Sequence, residues 1–158
     1  HYREGLRDLL RALKYQRRKS TLPYLHGILP LGEPALAQMS RPIVGVVVPL
    51  SAERRRTRGF NQTEEIFAPW LAAHDISLAH ALVRVRDTEP LYEHTREERR
   101  RELRHAFAVA EGTDIVGQNI LLLDDIMTTG ATLAECARTL RAAGAGRIWA
   151  LVLTSEHR

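Results

Sequence analysis

Apolar positions in this chain fall into unbroken blocks and regular stripes, and their alternation predicts strands and helices in turn. Ile120 to Leu123 is apolar with no polar face, as expected of a strand covered on both sides in a parallel sheet. Ile43 to Pro49, IVGVVVP, and Ile148 to Thr154, IWALVLT, read the same way. Shorter strands are expected at Leu82 to Val85 and Ala106 to Val109. Leu6, Leu9, Leu10 and Leu13 form a stripe over Arg3 to Arg18, which predicts an amphipathic helix with Arg7, Arg11 and Lys14 off the stripe. A second helix is expected over Leu22 to Met39, broken into pieces by Pro23, Pro30, Gly32 and Pro34. Asn61 is placed to cap a helix carrying Ile66, Phe67, Trp70 and Leu71, with Pro69 inside it. Leu133, Cys136, Ala137 and Leu140 share one helical face, and Gly144 or Gly146 can end that helix. The predicted fold class is α/β, with a central, mostly parallel sheet and flanking helices.

The chemistry concentrates in ILLLDDIMTTGAT, Ile120 to Thr132. Asp124 and Asp125 end the apolar block, and the carboxyl edge of an open α/β sheet is where ligands bind. Thr128, Thr129, Gly130, Ala131 and Thr132 then lead into the helix. Three hydroxyls, a glycine permitting close backbone approach and the first amides of a helix suit a phosphate dianion. The carboxylates cannot share that phosphate, because like charges repel. They suit a polyhydroxylated or metal-bearing group beside it, and a ribose 5-phosphate meets both demands. Neither a Walker loop nor the G-x-G-x-x-G dinucleotide turn is present.

A hydrophobic strand, DD and TTGAT together resemble the phosphoribosyl pyrophosphate (PRPP) motif of type I phosphoribosyltransferases. PLSAERRRTRGFNQ, Pro49 to Gln62, and the arginine-rich stretch Arg96 to Phe107 narrow the resemblance to the competence-associated ComF/GntX branch, over nearly the whole chain. The resemblance implies one phosphoribosyltransferase-like domain over 1–158, with a helical part at 1–40 and a core at 43–158 carrying a hood or lid around 86–110. It implies Mg²⁺-dependent transfer of a phosphoribosyl group to an unknown acceptor with release of pyrophosphate. The alternative is a non-catalytic PRPP sensor or scaffold acting in DNA uptake through competence proteins or single-stranded DNA.

Carried over residue by residue, Thr128, Thr129, Gly130, Ala131 and Thr132 would hold the 5-phosphate. Asp124 and Asp125 would hold the ribose hydroxyls and reach Mg²⁺ through water. Ser51, Arg58 and Asn61 would meet the pyrophosphate, and Arg99 and Arg101 would belong to the lid. Leu91, His94 and Glu102 depart from the family pattern of Gln, Leu and Asn, whereas Thr88, Pro90, Glu98, Arg99 and Arg101 keep it. Purine-salvage relatives carry a carboxylate where this chain has Thr128, so ordinary hypoxanthine or guanine salvage is not expected.

Composition changes this picture little. The chain has 158 residues, 44% hydrophobic and 27% charged, enough for one packed domain. A net charge of +4 permits polyanionic partners without requiring nucleic acid, since PRPP is itself anionic. Single cysteine Cys136 excludes a disulfide within the chain and suggests a reducing cytoplasm. The seven histidines lack ligand spacing. No apolar run is long enough to predict membrane insertion. Arg54, Arg55 and Arg56 read as a solubilising loop or as phosphate contacts, and Lys14, Arg17, Arg18 and Lys19 read as a nucleic-acid contact or, more commonly for such a cluster, a solvated helix end. Aromatics are only 6% and none interleaves the arginine run, so no stacking platform for single-stranded DNA is evident.

Overall fold

The computed structural model describes residues 2–86 and 95–155. Its centre is a four-stranded parallel sheet ordered β2-β1-β5-β6, from Ser77–Ala79 (β2), Ile43–Val47 (β1), Asn119–Met127 (β5) and Ile148–Ser155 (β6). Leu82–Arg84 (β3) and Phe107–Val109 (β4) pair antiparallel in a separate ribbon. Helices Tyr2–Gln16 (α1), Leu22–His26 (α2), Glu33–Leu36 (α3), Ala52–Arg58 (α4), Gln62–Ala73 (α5), Arg96–Leu103 (α6) and Ala131–Ala142 (α7) complete the described chain. The expected broken helix at 22–39 is α2, a 3₁₀ turn at Leu29–Gly32 and α3.

Side chains alternate across the central strands, and each face of the sheet builds its own core. Leu121 and Leu123 point to one face, with Leu6, Leu10 and Leu13 of α1 and Ile66, Phe67 and Leu71 of α5. Ile120 and Leu122 point to the other, with Leu133, Cys136 and Leu140 of α7, Leu103 of α6 and Phe107 of β4. The leucine stripe of α1 and the helical face of α7 are therefore what fasten those helices to opposite sides. Ile120 to Leu123 are fully buried, as an apolar block without a polar face demands.

Helix α5 sits close to β1 because Gly45 has no side chain. A Cβ there would stand 2.7 Å from Leu71 Cδ1 and 3.3 Å from Cδ2, and Leu71 is fully buried. Overpacking of this kind costs ~1–3 kcal/mol, against ~0.5–1 kcal/mol gained when Ala replaces Gly in a strand. Gly45→Ala is therefore expected to destabilise the fold by about 1–2 kcal/mol. Denaturant unfolding measures this, and an unchanged or raised midpoint would contradict the packing described.

Three segments differ from the sequence expectation. Strand β5 does not stop at Leu123; it runs through both acids to Met127, since parallel pairing with β6 continues as far as Met127 opposite Ser155. The polar stretch after β1 is not a loop but helix α4: the Ser51 hydroxyl accepts from Arg54 N–H at 3.3 Å, and Gly59, at φ +78°, ends the helix in the left-handed conformation. Strand β2 was not expected at all, being three residues on the sheet edge.

Candidate functional site

The carboxyl end of β1 lies beside Leu123, just before the acid pair of β5. Val48 N–H donates to Leu123 C=O at 2.9 Å, which brings the segment leading into α4 against the start of the acid pair. Asn61 fixes that segment from behind: its Nδ2 donates to Val48 C=O at 3.1 Å while its Oδ1 accepts from Thr63 N–H at 3.0 Å, capping α5. Both ends of the Asn61 amide are thus used by backbone. Ser51 is buried and its hydroxyl caps α4. Arg58 is buried at the end of α4, where Nη1 donates to Gln62 Oε1 at 2.9 Å and the guanidinium lies 5.4 Å from the Tyr15 ring centre. Arg54, Arg55 and Arg56 are exposed.

Beyond β5, residues 128–130 bend and α7 begins at Ala131. Gly130 is the N-cap at φ +75°, a conformation that strains any residue with a Cβ. No side chain caps this helix at Gly130, and Thr129 Oγ1 accepts from Ala131 N–H at 3.4 Å. Thr128, Thr129, Gly130 and Thr132 are half-buried and Ala131 is buried, so the turn is partly sheltered at the positive end of a 12-residue helix.

Asp124 and Asp125 follow the alternation of the strand and stand on opposite faces of it. Asp124 lies on the α7 side, near enough to the buried Cys136 to add to the burial that raises that thiol's pKa. Asp125, only 4% exposed, lies on the α1 side, where Lys14 Nζ approaches Oδ2 to 2.7 Å. That oxygen has no directed hydrogen bond, so the contact is one of charge with charge. The two acids are linked through backbone: Asp125 N–H donates to Asp124 Oδ1 at 2.9 Å. Burial first, and the Asp125 charge second, raise the Asp124 carboxyl to about 7.

Lys14 is the site residue that sequence reasoning missed. The solvated helix end expected of this cluster holds for Arg17, Arg18 and Lys19, which are exposed, although Arg17 donates to Thr57 C=O of α4 and Lys19 pairs with Glu65 of α5 at 2.8 Å and lies over the Phe60 ring; it fails for Lys14, which turns inward to Asp125. Its signal was weak but present. Lys14 directly follows Leu13 of the buried stripe, a place from which a long side chain can run inward along apolar surface.

The arginine-rich segment forms α6, begun by a capping box between Thr95 and Glu98. Arg99 and Arg101 both lie on α6, and Arg101 is exposed. Beyond it, Arg86 donates to the carbonyls of Glu102 and Arg104, tying the end of β3 to the end of α6. Leu91 and His94, with Thr88 and Pro90, lie outside the described residues.

A relative named DNA utilization protein YhgH, from Salmonella typhi, is 33% identical over 162 residues, covering 97% of this chain and 69% of the relative. Competence protein F of Haemophilus influenzae is 30% identical over 161 residues, 96% of this chain and 69% of the relative. The chain belongs to the ComF family. Competence protein ComFC of Bacillus subtilis matches over a shorter stretch, 36% identical over 95 residues, 60% of this chain and 37% of that protein. No family model matches the chain. Among solved structures, this ComF-family chain resembles adenine phosphoribosyltransferase from Saccharomyces cerevisiae, with TM-score 0.52 and 16% identity over 88% of this chain and 70% of that one. The enzyme from Leishmania donovani gives TM-score 0.51 and 19% identity, over 91% of this chain and 56% of that one. The fold is that of type I phosphoribosyltransferases. No helix among the described residues of this ComF-family chain is long and apolar enough to cross a membrane.

Proposed function

We propose that the chain binds PRPP at the carboxyl edge of β5 and transfers its phosphoribosyl group to an acceptor, releasing pyrophosphate. The observation that carries this is the half-buried turn at 128–132, with a left-handed Gly130 at the mouth of α7, directly after a strand that carries Asp124 and Asp125 near its end. The amides and hydroxyls of Thr128 to Thr132 hold the 5-phosphate. Asp124, on the same side as α7, anchors the ribose hydroxyls, and its charge favours the positive character that develops on the ring as pyrophosphate leaves. Asp125 holds Asp124 in place through its amide.

Arg58, buried at the end of α4, and the α4 segment behind Ser51 and Asn61 form the wall toward the pyrophosphate. The β3-α6-β4 part, with Arg99 and Arg101, is the hood that excludes water, within one phosphoribosyltransferase-like domain whose N-terminal helices complete the core.

Magnesium fits this donor set in one way. Asp125 is committed to Lys14, and no group of three or more His, Cys, Asp or Glu that could hold a metal exists among the described residues. Asp124 alone, together with the ligand's own phosphates, would hold the ion through water, as suits a metal that keeps most of its hydration. When bound there it would supply charge neutralisation to the departing pyrophosphate.

Pyrophosphate release from PRPP and Mg²⁺, assayed against candidate acceptors, tests the reading. Release with at least one acceptor is expected, and PRPP binding with none would leave a binder in place of a transferase. Hypoxanthine and guanine are expected to give no turnover, because Thr128 is no general base at neutral pH; robust conversion of either would contradict this. The binder reading has one observation in its favour, the capture of Asp125 by Lys14. In that reading the chain acts as a PRPP sensor or scaffold in the cytoplasm, in the DNA-related processes named for its relatives. Any affinity for single-stranded DNA would then rest on exposed arginines and fall steeply with salt.

A further inference from the structure

The end of α1 touches two elements of the site, β5 and α4, and one of its contacts is buried. Lys14 is half-buried, with 14% of its side chain exposed, and its partner carboxylate has 5%. Two charges this sheltered are costly to hold unless each compensates the other. The contact leads onward: Asp125 meets Lys14 with its side chain and gives its N–H to Asp124 Oδ1 at 2.9 Å. The neighbouring contacts of the same helix end, Tyr15 against the Arg58 guanidinium and Arg17 on the Thr57 carbonyl, reach the helix that follows β1. The leucine stripe of α1, packed beneath Leu121 and Leu123, fixes the height at which Lys14 leaves the helix.

We propose that Lys14 is a positioning residue of the phosphoribosyl site, the built-in cation that holds Asp125 and, through the Asp125 amide, aims Asp124 at the sugar. This deepens the PRPP reading and rests on it. It makes α1 part of the functional site and not only a cover for the sheet. It also sets the charge balance there, because Asp125 has its positive partner within the chain and the metal is left to Asp124 and the phosphates. Lys14 acts through Asp125 and does not touch the ligand.

The test is calorimetric titration of PRPP, with and without Mg²⁺, into the unaltered chain, Lys14→Met, Lys14→Arg, Asp125→Asn and the double variant Lys14→Met/Asp125→Asn, each first shown folded by thermal unfolding. Loss of a partner that orients a binding group typically lowers affinity about 10- to 100-fold, which is the effect expected of Lys14→Met. Lys14→Arg should recover most of it. If Lys14→Met does not fold, the double variant decides, since it removes both charges together. It should bind PRPP as Asp125→Asn does. Affinity at least tenfold weaker than that of Asp125→Asn would mean that Lys14 contacts the ligand itself, and would overturn the proposal. Unchanged affinity in Lys14→Met, with binding lost in Asp125→Asn, would overturn it while leaving the PRPP reading standing. An unaltered chain that binds no PRPP would overturn both.

Discussion

The paired substitution Asp124→Asn/Asp125→Asn is expected to reduce PRPP affinity by at least about 100-fold and to remove its enhancement by Mg²⁺. Hydrogen bonds to charged groups contribute ~1.5–3 kcal/mol each, and ~1.4 kcal/mol is a factor of ten in affinity. The double change removes the charge that faces the sugar and the charge that holds it in place. Asn keeps the shape of Asp and can still accept from the Asp125 backbone amide, so the loss reports on charge more than on packing. The change also strands the Lys14 ammonium, and some thermal stability will go with its partner. A double variant that remains folded and binds PRPP as the unaltered chain does would remove the acids from the site.

Asp124→Asn by itself should divide stability from binding. Burial and the adjacent Asp125 charge raise the Asp124 carboxyl to about 7 in the fold, above its ordinary value of 3.8. The folded chain therefore binds more protons than the unfolded one between these values, and the stability associated with Asp124 is full below about pH 4 and is lost as pH rises toward 7. An amide has no such cost. The unfolding temperature of Asp124→Asn should exceed that of the unaltered chain at pH 8, and the difference should shrink steadily on acidification from 7 toward 4. PRPP binding should weaken over the same range. A stability difference that is independent of pH, or of opposite sign, would show that Asp124 is not held in an unfavourable environment. A residue that costs stability where it serves a ligand is a familiar compromise of binding sites.

The parts of the fold that could be read in advance are those in which one physical rule dominates. Ile120 to Leu123 has no polar face, which suits a doubly covered strand, and the shared face of Leu133, Cys136, Ala137 and Leu140 after TTGAT marks the helix that follows. The stripe of α1 and the cap at Asn61 were equally plain. What escaped was decided by partners distant in the chain. Aspartate is depleted in strands, which hides the extension of β5 through Asp124 and Asp125; pairing with β6 enforces it. Helix α4 is nearly all charged, AERRRTR, and offers no apolar stripe, so only its Ser51 and Gly59 ends betray it. The opposite facing of the two acids follows once strand geometry replaces the assumption that neighbours in sequence act side by side. Lys14 lies at the far end of the chain from Asp125, and no local pattern joins them.

The central claim is that the mouth of α7 holds the sugar phosphate while Asp124 steadies the ring. Amide-resolved NMR during titration with PRPP, and separately with ribose 5-phosphate, tests it most directly. Both ligands should shift the amides of Thr129 to Thr132 first and most, with Asp124 and Asp125 following. Shifts gathered instead on the exposed arginines Arg11 of α1 and Arg18 just beyond it, with the mouth of α7 unmoved, would contradict it.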